Sequence, residues 1–359
     1  MAKIVTVYNA WRRRFEPTDM SYIRWLKISE ALARRDHQVD IATNEPGWWT
    51  RRSPIDMTAN LRRVPLSRVK WNDYDVVKTL FHIGFQTLQD YGGDNHPFVI
   101  SKLGSVVAPE DREGIYFYGG VRKKLYAVQE KVNRISRYVT VLSQPARDLW
   151  RECFDKTNHT LIVPGGVDAV VPPRARDPYP DRKRTRYLFA GHVYSGSSQP
   201  EANSVLITKL NKLGKLLMSG GGRLYMLGSG DVRRLDKSYV TYLGTSSYRK
   251  SWNYLHFADV GIVVSAGIHH NNESSKIYHY LRAGLPVVSE AGFPNDNVVR
   301  EAALGFLTEN GNLEQMAAKI QEAARKAWNR DHAVRYILSH HTWDKRVEVY
   351  DALLKSHFM

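Results

Sequence analysis

The sequence predicts an α/β protein with two successive domains, each a doubly wound parallel sheet. Three observations support this fold class. The chain has 359 residues, enough for about two domains with separate cores. Short β-branched segments alternate with amphipathic helical ones from the N-terminus onward. The alternation stops in a proline-rich, charged segment at 172–184 and then starts again, so we interpret that segment as an interdomain linker.

The first domain, assigned to residues 1–171, opens with a strand–helix–strand unit. Ile4–Val7 is apolar and β-branched, and residues 37–43 give a second strand. Between them Ser21–Arg35 places its apolar residues roughly on one helical face. A right-handed crossover is expected for such a unit. Further elements are predicted as strands Val76–Leu80, Phe98–Ser101, Tyr138–Leu142 and Thr160–Val163, and as a helix near Gly119–Arg137.

The second domain, assigned to residues 185–343, repeats the pattern. Its first strand is Arg186–Gly191, followed by a helix at Glu201–Leu217. Further strands are predicted at Arg223–Leu227, Val240–Tyr242, Val260–Val264, Pro286–Ser289 and Gly305–Leu307, and two closing helices near Leu313–Trp328 and Asp344–His357. Ligands of doubly wound sheets bind outside the carboxyl ends of the strands.

Composition is that of a globular protein, with 43% hydrophobic and 25% charged residues. The single cysteine, Cys153, excludes an internal disulfide and fits a reducing cytosol. No apolar run reaches the length of a membrane-spanning helix, and the N-terminal apolar run is too short for a signal peptide. We therefore expect a cytoplasmic protein. The net charge of +16 suits an anionic membrane, nucleic acid or phosphorylated substrates, or simply a solvated basic surface.

The segment 271–288 is the strongest indication of a binding site. It reads as a polar loop, a short helix, Gly-Leu-Pro and a buried strand. Ser274 and Ser275 open the helix, whose free N–H groups and dipole favour an anion. Lys276 adds a positive charge in the first turn. We predict a phosphate site here, with Gly191 and His192 on its other side; an ordinary helix cap with a solvated lysine is the alternative.

Several segments, in this order along nearly the whole chain, resemble GT4-type glycosyltransferases of the GT-B fold, in the glycogen-phosphorylase-like superfamily. They are Ser29–Asp40, Tyr138–Ser143, Leu161–Asp168, Leu227–Gly230, Tyr254–Val260, Ser275–Val288 and His341–Asp344. The resemblance implies two Rossmann-like domains facing a cleft, with the donor nucleotide-sugar in the C-terminal one. It also implies that the last helix, 344–359, packs back on the N-terminal domain.

The resemblance breaks at two donor-site positions. GT4-type enzymes carry two glutamates where this chain has Asn271 and His279, although Glu273 lies close by. The resemblance implies that these three residues meet the donor sugar and ribose, where His279 would replace a carboxylate by a weaker hydrogen bond. The Ser-Ser-Lys sequence is closer to xanthan-type glucuronosyltransferases. Those enzymes invert whereas GT4 enzymes retain, so the stereochemistry stays open.

Tyr248 and Tyr254 flank the expected nucleobase region, where they would stack on the base or pack in the protein. An inverting enzyme needs a base in the N-terminal domain. Glu110 and Asp111, in the loop after Phe98–Ser101, are the candidates, with solvated carboxylates as the alternative. Two histidines near strand ends have weaker placement: His82 and His96.

Arg12, Arg13 and Arg14 follow the first strand, in a loop that reaches the acceptor in GT-B enzymes. They would suit an anionic acceptor such as a lipid phosphate or a nucleic-acid backbone. A second basic cluster, with aromatic residues, suits a membrane interface or a stacked base, or is simply solvated. It consists of Trp48, Trp49, Arg51 and Arg52.

We therefore predict a basic, cytoplasmic glycosyltransferase that moves a sugar from a UDP-sugar to an anionic or membrane-linked glycan or lipid, in peripheral contact with the inner membrane face. No metal or cofactor is expected, because GT-B enzymes neutralise the leaving group with a helix dipole and basic side chains. The pair His269 and His270 is expected beside the donor rather than on a metal. The alternatives are a phage-type transferase acting on DNA, a GT-B-like binding protein without catalysis, and an epimerase of the same fold.

Overall fold

Parallel strands and their connecting helices form two units in the computed structural model. The structure describes residues 1–9, 20–44, 55–109, 119–154, 159–197, 199–267 and 271–358. One unit holds an eight-stranded sheet and the other a six-stranded sheet. The predicted α/β class with two parallel-sheet domains is therefore confirmed.

The first unit is built on a mostly parallel sheet with the strand order β3-β4-β2-β1-β5-β6-β7-β8. Only the edge strand β3 is antiparallel to its neighbour among the described strands. The strands are β1 Lys3–Val7, β2 Gln38–Thr43, β3 Ile55–Thr58, β4 Leu61–Pro65, β5 Val76–Leu80, β6 Val99–Lys102, β7 Tyr138–Val141 and β8 His159–Ile162. Its helices are α1 Met20–Ala33, α2 Phe81–Asp90, α3 Gly119–Ile135, α4 Gln144–Phe154 and, at the end of the chain, α11 Trp343–Phe358.

The second unit has an entirely parallel sheet in the order β11-β10-β9-β12-β13-β14. Its strands are β9 Thr185–Ala190, β10 Gly222–Leu227, β11 Val240–Tyr242, β12 Val260–Val263, β13 Val287–Glu290 and β14 Gly305–Thr308. Its helices are α5 Pro200–Ser219, α6 Tyr248–Phe257, α7 Ser275–Arg282, α8 Asn297–Glu301, α9 Leu313–Arg325 and α10 Arg330–His340.

The C-terminal helix α11 completes the core of the first unit. Its buried residues Trp343, Val347, Tyr350 and Leu354 recur at helical spacing, so they form one face. That face joins the cluster formed by α1 and the central strands. A buried polar contact adds to the apolar packing: the Asp351 carboxylate accepts from His37 Nε2 at 3.0 Å.

The segment 172–184, which the sequence suggests is a linker, lies on the second unit. Its Tyr179 is only 4% exposed and donates a hydrogen bond to the Tyr254 carbonyl at 3.0 Å. Asp177 accepts from Arg186 on β9 at 2.9 Å. Buried aromatic and charge-assisted contacts of this kind fix the segment in place.

No described helix is long and apolar enough to cross a membrane.

Candidate functional site

The two central strands of the second sheet, β9 and β12, mark the point where its strand order reverses. From β9 the chain continues to β10 and β11 on one side, whereas β12, β13 and β14 lie on the other. Such a switch point opens a crevice at the carboxyl ends of the two strands. Gly191 directly follows β9, and the segment from Val264 to Ser274 follows β12 and leads into α7. The predicted phosphate residues therefore lie at the carboxyl ends of the two central strands, where ligands of such sheets bind.

Ser274 occupies the N-cap position of α7, yet its side chain makes no capping hydrogen bond. The residue is 6% exposed, and among the described residues its buried Oγ has no hydrogen-bond partner. The next two backbone N–H groups, of Ser275 and Lys276, also have no acceptor within the described part of the chain. A buried polar atom without a partner is unusual. The start of α7 therefore presents donors that an anion could satisfy.

The Lys276 side chain is half-buried. Its ammonium lies 5.0 Å from the centre of the Phe189 ring on β9 and, among the described residues, has no carboxylate or hydrogen-bond partner. Burial lowers the pKa of this lysine to about 8. It is still mostly protonated at neutral pH, so an unpaired positive charge sits at the start of the helix.

The absence of a side chain at Gly191 leaves room for the end of the Lys276 side chain. A Cβ added to Gly191 would lie 2.4 Å from Lys276 Cε and 3.0 Å from its Nζ. A Cβ added to Gly228, whose φ is +143°, would lie 1.9 Å from the Gly191 carbonyl oxygen. The lysine therefore occupies the space that a larger residue at the end of β9 would fill.

His192 is exposed, and its Nδ1 lies 3.0 Å from the Ser229 hydroxyl. Glu273 accepts a hydrogen bond from the Tyr278 hydroxyl at 2.6 Å, and Asn271 is buried. These three residues lie on the loops that flank the start of α7.

His279 points into the protein. The residue is 8% exposed, with Nδ1 at 2.7 Å from the Ser275 carbonyl and Nε2 at 3.3 Å from the Tyr248 hydroxyl. The structure thus brings two predicted donor residues, His279 and Tyr248, into one hydrogen-bonded pair. Tyr254 is half-buried and meets Tyr179 edge to face, at 5.5 Å between ring centres.

The two histidines that the sequence places near strand ends, His82 and His96, are held in the interior of the first unit. His82 Nε2 contacts Gln129 at 3.2 Å, and burial lowers the His82 pKa to about 4, so the ring is neutral. His96 Nε2 lies 2.9 Å from the Tyr74 carbonyl, and its Nδ1 accepts from the Phe98 N–H at 3.1 Å. Both rings therefore make structural contacts. The other predicted residues, Arg12, Arg13, Arg14, Trp48, Trp49, Arg51, Arg52, Glu110, Asp111, His269 and His270, lie outside the described residues.

Sequence reasoning missed Phe189, Glu290 and Asn295. Phe189 reads as an ordinary strand residue, and only the fold places it under Lys276. Glu290 had a visible signal, because a carboxylate ends the otherwise uncharged strand Val287–Glu290. Among the described residues, no group of three or more His, Cys, Asp or Glu side chains could hold a metal ion.

The chain is similar to solved structures over its whole length. Sucrose-phosphate synthase from Thermosynechococcus elongatus aligns with a TM-score of 0.71 at 14% identity, covering 100% of this chain and 99% of that one. AviGT4, a glycosyltransferase of avilamycin A biosynthesis, aligns with a TM-score of 0.64 at 15% identity, covering 99% and 97%. An E. coli trehalose-6-phosphate protein bound with UDP-2-fluoro glucose gives 0.65 at 11% identity, covering 99% of both chains.

The chain has the GT-B fold. At these identities the similarity establishes the GT-B architecture alone. The sequence matches no protein-family model and no curated protein. The GT4-like assignment and the role of the Ser-Ser-Lys loop therefore stay predictions.

Proposed function

We propose that the protein is a glycosyltransferase that uses a UDP-sugar and binds the donor's diphosphate at Ser274, Ser275 and Lys276. One observation carries the proposal: the start of α7 holds a buried hydroxyl and an ammonium that have no hydrogen-bond or ion-pair partner among the described residues. Both lie at the switch point of the sheet, where ligands of such folds bind. The GT-B neighbours support the class of reaction, and one of them is bound with UDP-2-fluoro glucose.

The proposed chemistry is stabilisation of a leaving group. When the bond between the sugar and the diphosphate breaks, negative charge grows on the diphosphate oxygen. The Lys276 ammonium and the N–H groups at the start of α7 neutralise that charge without a metal ion. The Ser274 hydroxyl donates a hydrogen bond to the same phosphate, which satisfies its buried oxygen.

The acceptor is proposed to be anionic, as a lipid-linked or cell-envelope glycan reached at the membrane surface. The net charge of +16 supports an anionic acceptor. Glu110 or Asp111 would supply the base if the enzyme inverts. DNA is also anionic and stays the alternative acceptor. Binding of the protein to anionic vesicles but not to duplex DNA would exclude it.

A second candidate is a protein that binds the UDP-sugar without transferring it. Asn271 and His279 favour it, because they stand where GT4-type enzymes have carboxylates, and His279 is committed to Tyr248 and the Ser275 carbonyl. Release of UDP from a UDP-sugar separates the two candidates, since only the transferase releases it. Conversion of the donor to another sugar would instead indicate an epimerase.

The test of the donor site is a thermal-shift panel of UDP-, GDP-, ADP- and TDP-sugars. It compares the wild type with Lys276→Ala and with Lys215→Ala, a matched control on the exposed face of α5. We expect UDP-sugars to stabilise the wild type and the control, and Lys276→Ala to bind about 10- to 100-fold more weakly, the usual cost of losing a charged hydrogen bond. Equal stabilisation of all three proteins would overturn the assignment.

A further inference from the structure

Both ends of the loop that leads into α7 are held by one short segment, which runs from the last residue of β13, Glu290, to Asn295. At the start of the loop, the Ser265 N–H donates to the Glu290 carboxylate at 2.6 Å. At its end, the Asn295 side chain binds Ser274 twice: it accepts from the Ser274 N–H at 2.9 Å and donates to the Ser274 carbonyl at 3.0 Å. The six-residue segment Glu290–Asn295 therefore holds both ends of the loop.

Glu290 anchors the start of the loop to the body of the second unit. Its side chain is fully buried and accepts from Lys209 on α5 at 2.6 and 2.9 Å and from the Gly311 N–H at 2.9 Å. A buried carboxylate is tolerated only with such partners, and a satisfied network of this kind is rigid. Ser265 is thereby tied, through Glu290, to α5 and to the turn at Gly311.

Asn295 determines what Ser274 can do. Asn295 is 2% exposed, so its amide is not shared with solvent. An N-cap serine ordinarily turns its oxygen onto a backbone N–H of the first helical turn. Here the Ser274 backbone is satisfied by Asn295, and the hydroxyl is left out of the cap. The N–H groups of Ser275 and Lys276 likewise have no acceptor among the described residues, whereas the Ile277 N–H donates to the Ser274 carbonyl at 3.3 Å.

We propose that Asn295 and Glu290 are positioning residues of the donor-phosphate site: they hold the two ends of the loop, Ser274 and Ser265, so that the Ser274 hydroxyl and the N–H groups of Ser275 and Lys276 face the diphosphate instead of satisfying each other. This inference rests on the proposed function. It assigns the affinity for the phosphates partly to residues that do not touch them, because a preformed site does not have to be ordered when the ligand binds.

The experiment measures the affinities of UDP and of uridine, which lacks the phosphates, by titration calorimetry. The proteins are the wild type, Asn295→Ala, the nearly isosteric Asn295→Asp, and Asn297→Ala as a control. In the described part of the chain the Asn297 side chain bonds only to Glu301 on the same helix. Asn295→Asp keeps an acceptor for the Ser274 N–H and loses the donor to its carbonyl, so it serves if Asn295→Ala does not fold. A Lys276→Ala background completes a double-mutant cycle.

We expect Asn295→Ala to weaken UDP binding by about tenfold and the control to lose nothing. Asn295→Asp should lose at least as much, because its carboxylate also repels the diphosphate. Uridine binding should be unchanged in all four. In the Lys276→Ala background the loss should shrink, since misaligned groups act on the same phosphate. Equal losses for UDP and uridine, or losses that simply add, would show a merely structural role and overturn the inference. If the wild type binds no UDP, the proposed function itself fails.

Discussion

Raising the pH should weaken UDP binding through Lys276. Burial lowers the pKa of the free lysine to about 8. A bound diphosphate favours the charged form, so the complex holds its proton at higher pH than the free protein does. Above about pH 8 binding must therefore take up a proton, and the affinity follows the protonated fraction of free Lys276. That fraction falls from about nine tenths at about pH 7 to about one tenth at about pH 9, so UDP should bind about tenfold more weakly.

Titration calorimetry of UDP across this pH range, at constant ionic strength, measures the effect. Lys276→Ala binds the same nucleotide, so any ionisation of UDP itself appears in both proteins and can be subtracted. The affinity of the variant should be lower at every pH and, after that subtraction, independent of pH. The reasoning is refuted if wild type and variant show the same pH dependence.

Two further predictions concern buried ionisable side chains, and a third concerns Gly191. Burial lowers the pKa of Lys78 to about 7, below its unfolded value, so the free energy of unfolding should rise between about pH 7 and about pH 10. Lys78→Met should remove that rise and stabilise the protein by up to about 4 kcal/mol at neutral pH, measured by urea denaturation. If the free energy of unfolding of the variant rose with pH as steeply as that of the wild type, the prediction would be contradicted. Burial also lowers the pKa of His37, so stability should fall as the pH drops below about 6.5. In His37→Gln, which keeps a polar partner for Asp351, the loss of stability at acid pH should be smaller. If the variant lost as much stability as the wild type, His37 would be excluded as the cause of that loss. Gly191→Ala should displace the Lys276 side chain and reduce UDP affinity about as much as Lys276→Ala does. Wild-type affinity in this variant would contradict the prediction and show that the displaced lysine still reaches the phosphates.

The parts of the fold that carry their own sequence signal could be predicted. Strands such as Val260–Val263 and Val76–Leu80 are short and largely β-branched, and they appear where expected. Leu61–Pro65 was missed because two arginines and a proline interrupt its apolar pattern. Helix Phe81–Asp90 was missed because it follows a strand directly, without a cap residue, and contains Gly84.

The residues of the candidate site also divide into those that the sequence could predict and those that it could not. Ser274 and Lys276 are adjacent in sequence and belong to a recognisable helix start, so their pattern could be read directly. Phe189 and Asn295 are far from them in the chain, and only the parallel sheet brings them to α7. His279 was expected at the donor ribose from its position in a motif. Its hydrogen bonds to Tyr248 and the Ser275 carbonyl depend on how α7 packs, which the motif does not encode.

The most direct test of the central claim is a crystal structure of the protein with UDP. We predict that the diphosphate lies at the start of α7, within hydrogen-bonding distance of the Ser274 hydroxyl and the Lys276 ammonium. Electron density for the nucleotide at another place, with both groups still unpaired, would contradict the account.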